Sequence, residues 1–203
     1  MESRNACRPG PFGPGAKLLA VAATVLIAWG LKRHYSDARA DDLWWILTPT
    51  AHLVSVVTGA TFTFQPGEGY FARDRLFLIE KSCAGINFMI AAFGMLVFAL
   101  FHRVSSVTSA ARVMGVSLLV SYLAAVAVNT ARISLAMWLA AHPAAVPAFN
   151  AVDVHRLEGI VVYFGSLVLL YELVRRLDRP AVRRLLSAPP RQVVGPALLD
   201  PPR

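Results

Sequence analysis

The segment 113–141 constrains this chain most: 29 residues, overwhelmingly apolar, with Asn129, Thr130 and Arg132 as its main polar interruption. About 20 apolar residues suffice to cross a bilayer as a helix, and two full crossings would need roughly 40 plus a turn. No Gly or Pro breaks the stretch from Val116 to Ala141. One long helix is therefore expected. Similar runs lie at 18–31, 43–64, 84–101 and 157–173, which predicts an all-α, polytopic transmembrane bundle of about five to six spans. The chain is 56% hydrophobic and 16% charged, against about a quarter charged in soluble domains. Its net charge of +8 does not point to nucleic acid. The basic residues cluster at the chain ends and between apolar runs, as in membrane proteins, and no nucleic-acid-binding motif is present.

Residues 1–15 are rich in Gly, Pro and Arg and read as a disordered lead. The run 18–31 is short for a span, but Lys17 can snorkel and extend it. An uncleaved first span is favoured over a signal peptide, whose cleavage site would have to be the loose match at Ala38-Arg39-Ala40. The second span, expected over 43–64, opens on Trp44 and Trp45, placed as interfacial aromatics. Within the polar connection 65–81, Asp74 to Glu80 has the pattern of a short strand or hairpin arm. Residues 16–175 form the membrane domain, and 176–203 a basic, Pro-rich cytoplasmic tail.

Arg175, Arg176, Arg179, Arg183 and Arg184 put that tail on the cytoplasmic side. Counting back through five spans, the connections 102–112 and 32–42 are also cytoplasmic, and 65–83 and 142–156 face outward. The N-terminus then faces outward too, which conflicts with Arg4, Arg8 and Lys17. Two cysteines, Cys7 and Cys83, are too few for a disulfide framework and lie in unlike settings. Cys7 has no apolar segment before it, so a lipoprotein reading has little support.

Under this topology Cys83, Arg132 and His155 converge at the outer face. Cys83 is expected in the first turn or cap of a helix, where the helix N-terminus and nearby cations favour the thiolate. Ala84 and Gly85 are small enough to leave backbone N–H groups open to an oxyanion. His155 suits a general base toward the thiol and an acid toward a leaving amine. Arg132 is a permanent cation about 14 Å of helix rise from the outer end of its span, and an ionisable residue there marks a functional site by default. Each has a plainer alternative: a buried apolar thiol, a solvated or capping histidine, a snorkelling arginine. His52 and His142 are competing bases, Asn129 a residue that bonds a neighbouring helix, and Glu80 and Glu158 solvated carboxylates. A metal-dependent intramembrane protease would need H-E-x-x-H or paired aspartates within the spans, and neither occurs. No cofactor or metal is expected.

The segment Glu80-Lys81-Ser82-Cys83-Ala84-Gly85-Ile86-Asn87 resembles the cysteine motif of the exosortase/archaeosortase family. Asn129-Thr130-Ala131-Arg132-Ile133 is similar to that family's N-x-x-R-I motif, and His155-Arg156-Leu157-Glu158-Gly159, leading to Tyr163, to its histidine motif. The resemblance covers about residues 43–173. It implies a membrane cysteine peptidase/transpeptidase with Cys83 as nucleophile, His155 as acid/base, Arg132 as oxyanion stabiliser and Asn129 in support. It also implies a thioester acyl-enzyme resolved by an amine acceptor or water. The implied partners are proteins bearing a C-terminal sorting signal of short motif, transmembrane helix and basic tail. The implied place is the outer face of a bacterial inner membrane. Many relatives have about eight spans and often Ser at the Ala84 position; this chain resembles a compact subtype such as exosortase K.

Overall fold

The structure is a computed structural model that describes residues 13–74, 77–142 and 151–186, with side chains at 15–74, 77–142 and 157–178. Five helices and a small sheet follow one another as α1 (Gly13–Asp37), α2 (Trp44–Thr58), β1 (Phe62–Gln65), β2 (Gly69–Ala72), β3 (Phe77–Ile79), α3 (Ile86–Ala99), α4 (Val107–Ala141) and α5 (Ala151–Leu186). The expected lead over 1–15 and tail over 176–203 fall largely outside the described residues. Where they are described, α1 already begins at Gly13 and α5 continues to Leu186.

The single long helix expected over 113–141 is present and starts earlier, at Val107. Ser106 caps it: its side chain accepts from the Ser109 N–H at 3.2 Å, while Ser109 Oγ accepts from the Ser106 N–H at 2.8 Å. This reciprocal box satisfies two N–H groups that a helix start leaves open. At ~1.5 Å per residue, the 35 residues of α4 exceed a bilayer's hydrocarbon thickness.

Among the described residues, four helical stretches are long and apolar enough to cross a membrane: Gly15–Asp37, Lys81–Ala99, Val107–Ala141 and Leu157–Asp178. Their outward faces carry Leu18, Val25, Leu26, Trp29, Leu119, Leu123, Ile160, Phe164 and Leu169, all more than half exposed. Lipid, not water, is the solvent such faces fit. The chain is a transmembrane helical bundle.

The second expected span is not one. Over 43–64 the helix covers only Trp44–Thr58, about 22 Å of rise against ~30 Å of hydrocarbon. It stops because Gly59 takes the left-handed conformation (φ 71°) and returns its N–H to the Ser55 carbonyl at 2.8 Å, a common helix ending. The alternating Phe62-Thr63-Phe64 that follows suits a strand, and β1 forms there. Three antiparallel strands lie in the order β1-β2-β3, with Thr63 opposite Phe71 and Phe71 opposite Leu78. β3 lies within the expected strand segment. Pro49 has no N–H to give the Trp45 carbonyl. The Tyr122 hydroxyl of α4 supplies that bond at 2.8 Å, with the Trp45 and Tyr122 rings stacked at 5.9 Å. Thus α2 is pinned on α4 at the point where its own ladder is broken.

Ala16 and Ala20 pack with Val104, Ala110 and Val113, and Lys17 lies over the Phe101 ring. The beginning of α1 therefore sits beside the α3–α4 connection, together with Asp178 of α5, which His102 and Arg103 both bind. At the opposite end Lys32 donates to Asn87 Oδ1 at 2.8 Å and Lys81 to the Ser36 carbonyl at 3.0 Å. Connection 32–42 consequently shares an end with Cys83, not with 102–112 as the five-span count required. Because α2 and the sheet leave and re-enter at one end, only α1, α3, α4 and α5 alternate in direction. The conflict over the N-terminal basic residues came from counting 43–64 as a crossing.

Candidate active site

β3 runs into Glu80, a 3-10 turn Lys81–Ala84 and Gly85, and only then into α3. The Cys83 N–H bonds the Glu80 carbonyl at 2.9 Å. Cys83 is thus not in the first turn of α3, as expected, but in a separate turn before it. Gly85, at φ 67°, makes the break, in a backbone region that only Gly visits routinely. Ala84 and Gly85 are buried. Gly85 backs onto Asn129, whose Cγ would lie 3.3 Å from a Cβ added there.

Cys83 is half-buried and is not in a disulfide. Ser82 Oγ stands 3.9 Å from its sulfur and donates to Glu80 Oε1 at 2.7 Å. Glu80 is exposed, as expected. Tyr35 and Tyr163 lie within electrostatic reach of the thiol. The Tyr35 ring is bracketed by Lys32 Nζ at 5.6 Å and Lys81 Nζ at 5.1 Å, so cations gather at the rim of the Cys83 turn.

Asn129 and Arg132, three residues apart, share one face of α4. Asn129 is fully buried, and its Nδ2 donates to the Cys83 carbonyl. Its Oδ1 accepts from the Tyr163 hydroxyl at 2.9 Å. That hydroxyl in turn accepts from an Arg132 guanidinium nitrogen at 3.1 Å, and the guanidinium lies over the Tyr163 ring at 5.2 Å. Phe88 backs the ring at 5.5 Å. Gly159 gives Arg132 room: an added Cβ would sit 3.4 Å from Nε. Asn129 therefore supports the Cys83 turn directly and reaches Arg132 through Tyr163.

Glu158 is 7% exposed and within the field of Arg132. This corrects the expectation of a solvated carboxylate. Arg132 is half-buried, and a cation at this depth is stabilised by a nearby anion. His155 lies in the early turns of α5, but its side chain is outside the described residues. Its backbone position is one turn before Gly159 and two before Tyr163. Spacings of four place all three on one stripe of the helix.

Cys83, Gly85, Asn129 and Arg132 thus meet at one end of the bundle, where the helix directions were expected to bring Cys83, Arg132 and His155. Tyr163, which binds the cluster together, and Glu158 beside Arg132 were not nominated as site residues from the sequence; their places in the histidine motif and the 155/159/163 spacing were the available signals. Tyr35 carried none. The competing bases His52 and His142 are exposed, and His142 Nδ1 lies 2.9 Å from the Trp138 carbonyl. A cavity of about 390 Å³ among Leu31, Trp45, Met89, Leu118, Leu119 and Tyr122 contains none of the cluster's residues. No protein-family model, no curated protein and no solved structure matches the chain.

Proposed function

We propose that the chain is a membrane-embedded cysteine peptidase/transpeptidase of the exosortase kind. It would cleave the C-terminal sorting signal of membrane-tethered proteins at the outer face of a bacterial inner membrane. The observation that carries this reading is the polar chain from Arg132 through Tyr163 and Asn129 to the Cys83 carbonyl. It draws the cysteine and arginine motifs, distant in sequence, into one cluster, with the histidine motif's stripe alongside. The end opposite Cys83 carries Lys17, Arg103, Arg112, Arg175 and Arg176. The Cys83 end carries Lys32, Arg33, Arg39 and Lys81; the basic run that continues through Arg179, Arg183 and Arg184 tips the positive-inside balance toward a cytoplasmic opposite end, with Cys83 facing outward.

In this mechanism the Cys83 thiolate attacks the scissile carbonyl carbon, and His155 holds the thiol proton. The guanidinium of Arg132, one of whose five donors is given to Tyr163, stabilises the tetrahedral oxyanion. The C–N bond breaks, His155 passes its proton to the leaving amine, and a thioester remains. An amine acceptor or water, giving a proton to His155, then attacks the thioester, the C–S bond breaks, and the thiolate beside protonated His155 is restored.

The test is processing of a tagged reporter with a sorting signal, co-expressed with wild type, Cys83→Ala, Arg132→Ala or His155→Ala. Each variant should remain in the membrane and lose processing. Undiminished processing by Cys83→Ala would remove the nucleophile and leave a non-catalytic carrier, in which Arg132 binds an anionic head group.

A further inference from the structure

We infer that Tyr163 is a positioning residue: its hydroxyl relays a fixed hydrogen-bond direction from Arg132 through Asn129 to the Cys83 turn. This rests on the peptidase reading for its catalytic consequence, but not for its structural one.

A guanidinium has donors and no acceptor. The 3.1 Å bond between Arg132 and the Tyr163 oxygen therefore runs from arginine to tyrosine. The tyrosine's own proton is then free to point only at its other neighbour, Asn129 Oδ1, at 2.9 Å. With Oδ1 so engaged, the Asn129 amide must present Nδ2 to the Cys83 carbonyl, and it does. The two ends of an amide look alike in outline, and only the network assigns them. Here the assignment propagates from a group that cannot reverse. Asn129 is wholly buried, so no water can replace a lost partner without opening the packing. The Tyr163 ring meanwhile holds its place through Phe88 at 5.5 Å and the guanidinium at 5.2 Å. Ring and hydroxyl thus have separable tasks. The ring fills space, and the hydroxyl orients Asn129, Arg132 and, through the carbonyl, the turn that bears the thiol.

Tyr163→Phe removes the second task and keeps the first. Cys7→Ser leaves Cys83 as the only thiol of the full chain, and alkylation by N-ethylmaleimide in membranes then reports the Cys83 turn without any substrate. Tyr163→Phe should raise the alkylation rate about three- to tenfold, the equivalent of one lost hydrogen bond, because the turn is less firmly held. On the reporter, kcat should fall by about the same factor or more with KM within about twofold. Tyr163→Ala, which also deletes the ring, should reduce the amount of folded protein; Tyr163→Phe should not. Alkylation of Tyr163→Phe within about twofold of wild type would overturn the inference, since pure packing leaves that rate unmoved. A loss confined to KM would also overturn it. If Cys83→Ala goes on processing the reporter, the peptidase reading falls, and the alkylation rate still decides the role of Tyr163.

Discussion

Gly85→Ala should loosen the whole cluster, and its size can be worked from the structure. Gly85 has φ 67° and ψ 15°, and holding an L-residue there costs about 1–2 kcal/mol. The new Cβ would lie 3.3 Å from Asn129 Cγ and 3.5 Å from its Cβ and Nδ2. Asn129 cannot retreat freely: it is fully buried and bonded to both the Cys83 carbonyl and Tyr163. Losing one of those bonds adds about 1 kcal/mol. The sum is about 2–3 kcal/mol, or roughly 30- to 140-fold in the folding equilibrium at ~1.4 kcal/mol per decade. Gly94→Ala is the control, in the same helix region and of the same chemistry. Its added Cβ meets nothing within 4 Å and its φ is not positive, so helix propensity makes it neutral or stabilising by up to about 1 kcal/mol. Reversible unfolding in mixed micelles, followed by the fluorescence of the four tryptophans, measures both. Opposite signs are expected. If Gly85→Ala lies within about 0.5 kcal/mol of Gly94→Ala, the close approach of Gly85 to Asn129 does not hold the Cys83 turn.

Glu158→Gln keeps the volume but withdraws the anion from beside Arg132. It should destabilise the fold by about 1–3 kcal/mol, and a change within about 0.5 kcal/mol, as for an ordinary surface site, would show that Glu158 does not compensate Arg132. Sidedness is open to impermeant thiol labelling of single cysteines in a Cys7→Ser/Cys83→Ala background. Arg39→Cys and Lys81→Cys should label from the same side and Arg103→Cys from the other; labelling of Arg39→Cys together with Arg103→Cys would restore a full crossing over 43–64.

The bundle itself was legible in the sequence. The run 113–141 read as one long helix rather than two, because it is too short for two crossings and no Gly or Pro breaks it after Val116. The alternation of helix directions also put Cys83, Arg132 and His155 at one face before any contact was known; of these, the described side chains bring Cys83 and Arg132 into one cluster. The strand arm at 77–79 was visible as well.

The run 43–64 shows where such reading stops. Hydropathy counts apolar residues and is blind to whether they cross. That segment ends as a helix at Gly59, and β1 and β2 then fold back beside α2. The broken ladder at Pro49 is repaired by Tyr122, 77 residues from Trp45. One miscounted crossing then put 32–42 at the same end as 102–112, whereas it lies at the Cys83 end. The site has the same division. Residue types and spacing nominated Cys83, Arg132, Asn129 and the stripe of α5, because reactive thiols and intramembrane charges are chemically conspicuous. They did not assign Tyr163 its hydroxyl's two partners or bury Glu158 beside Arg132. Those depend on the rotation and depth at which α4 and α5 pack, and bonds between helices are set by that docking rather than by periodicity along either one.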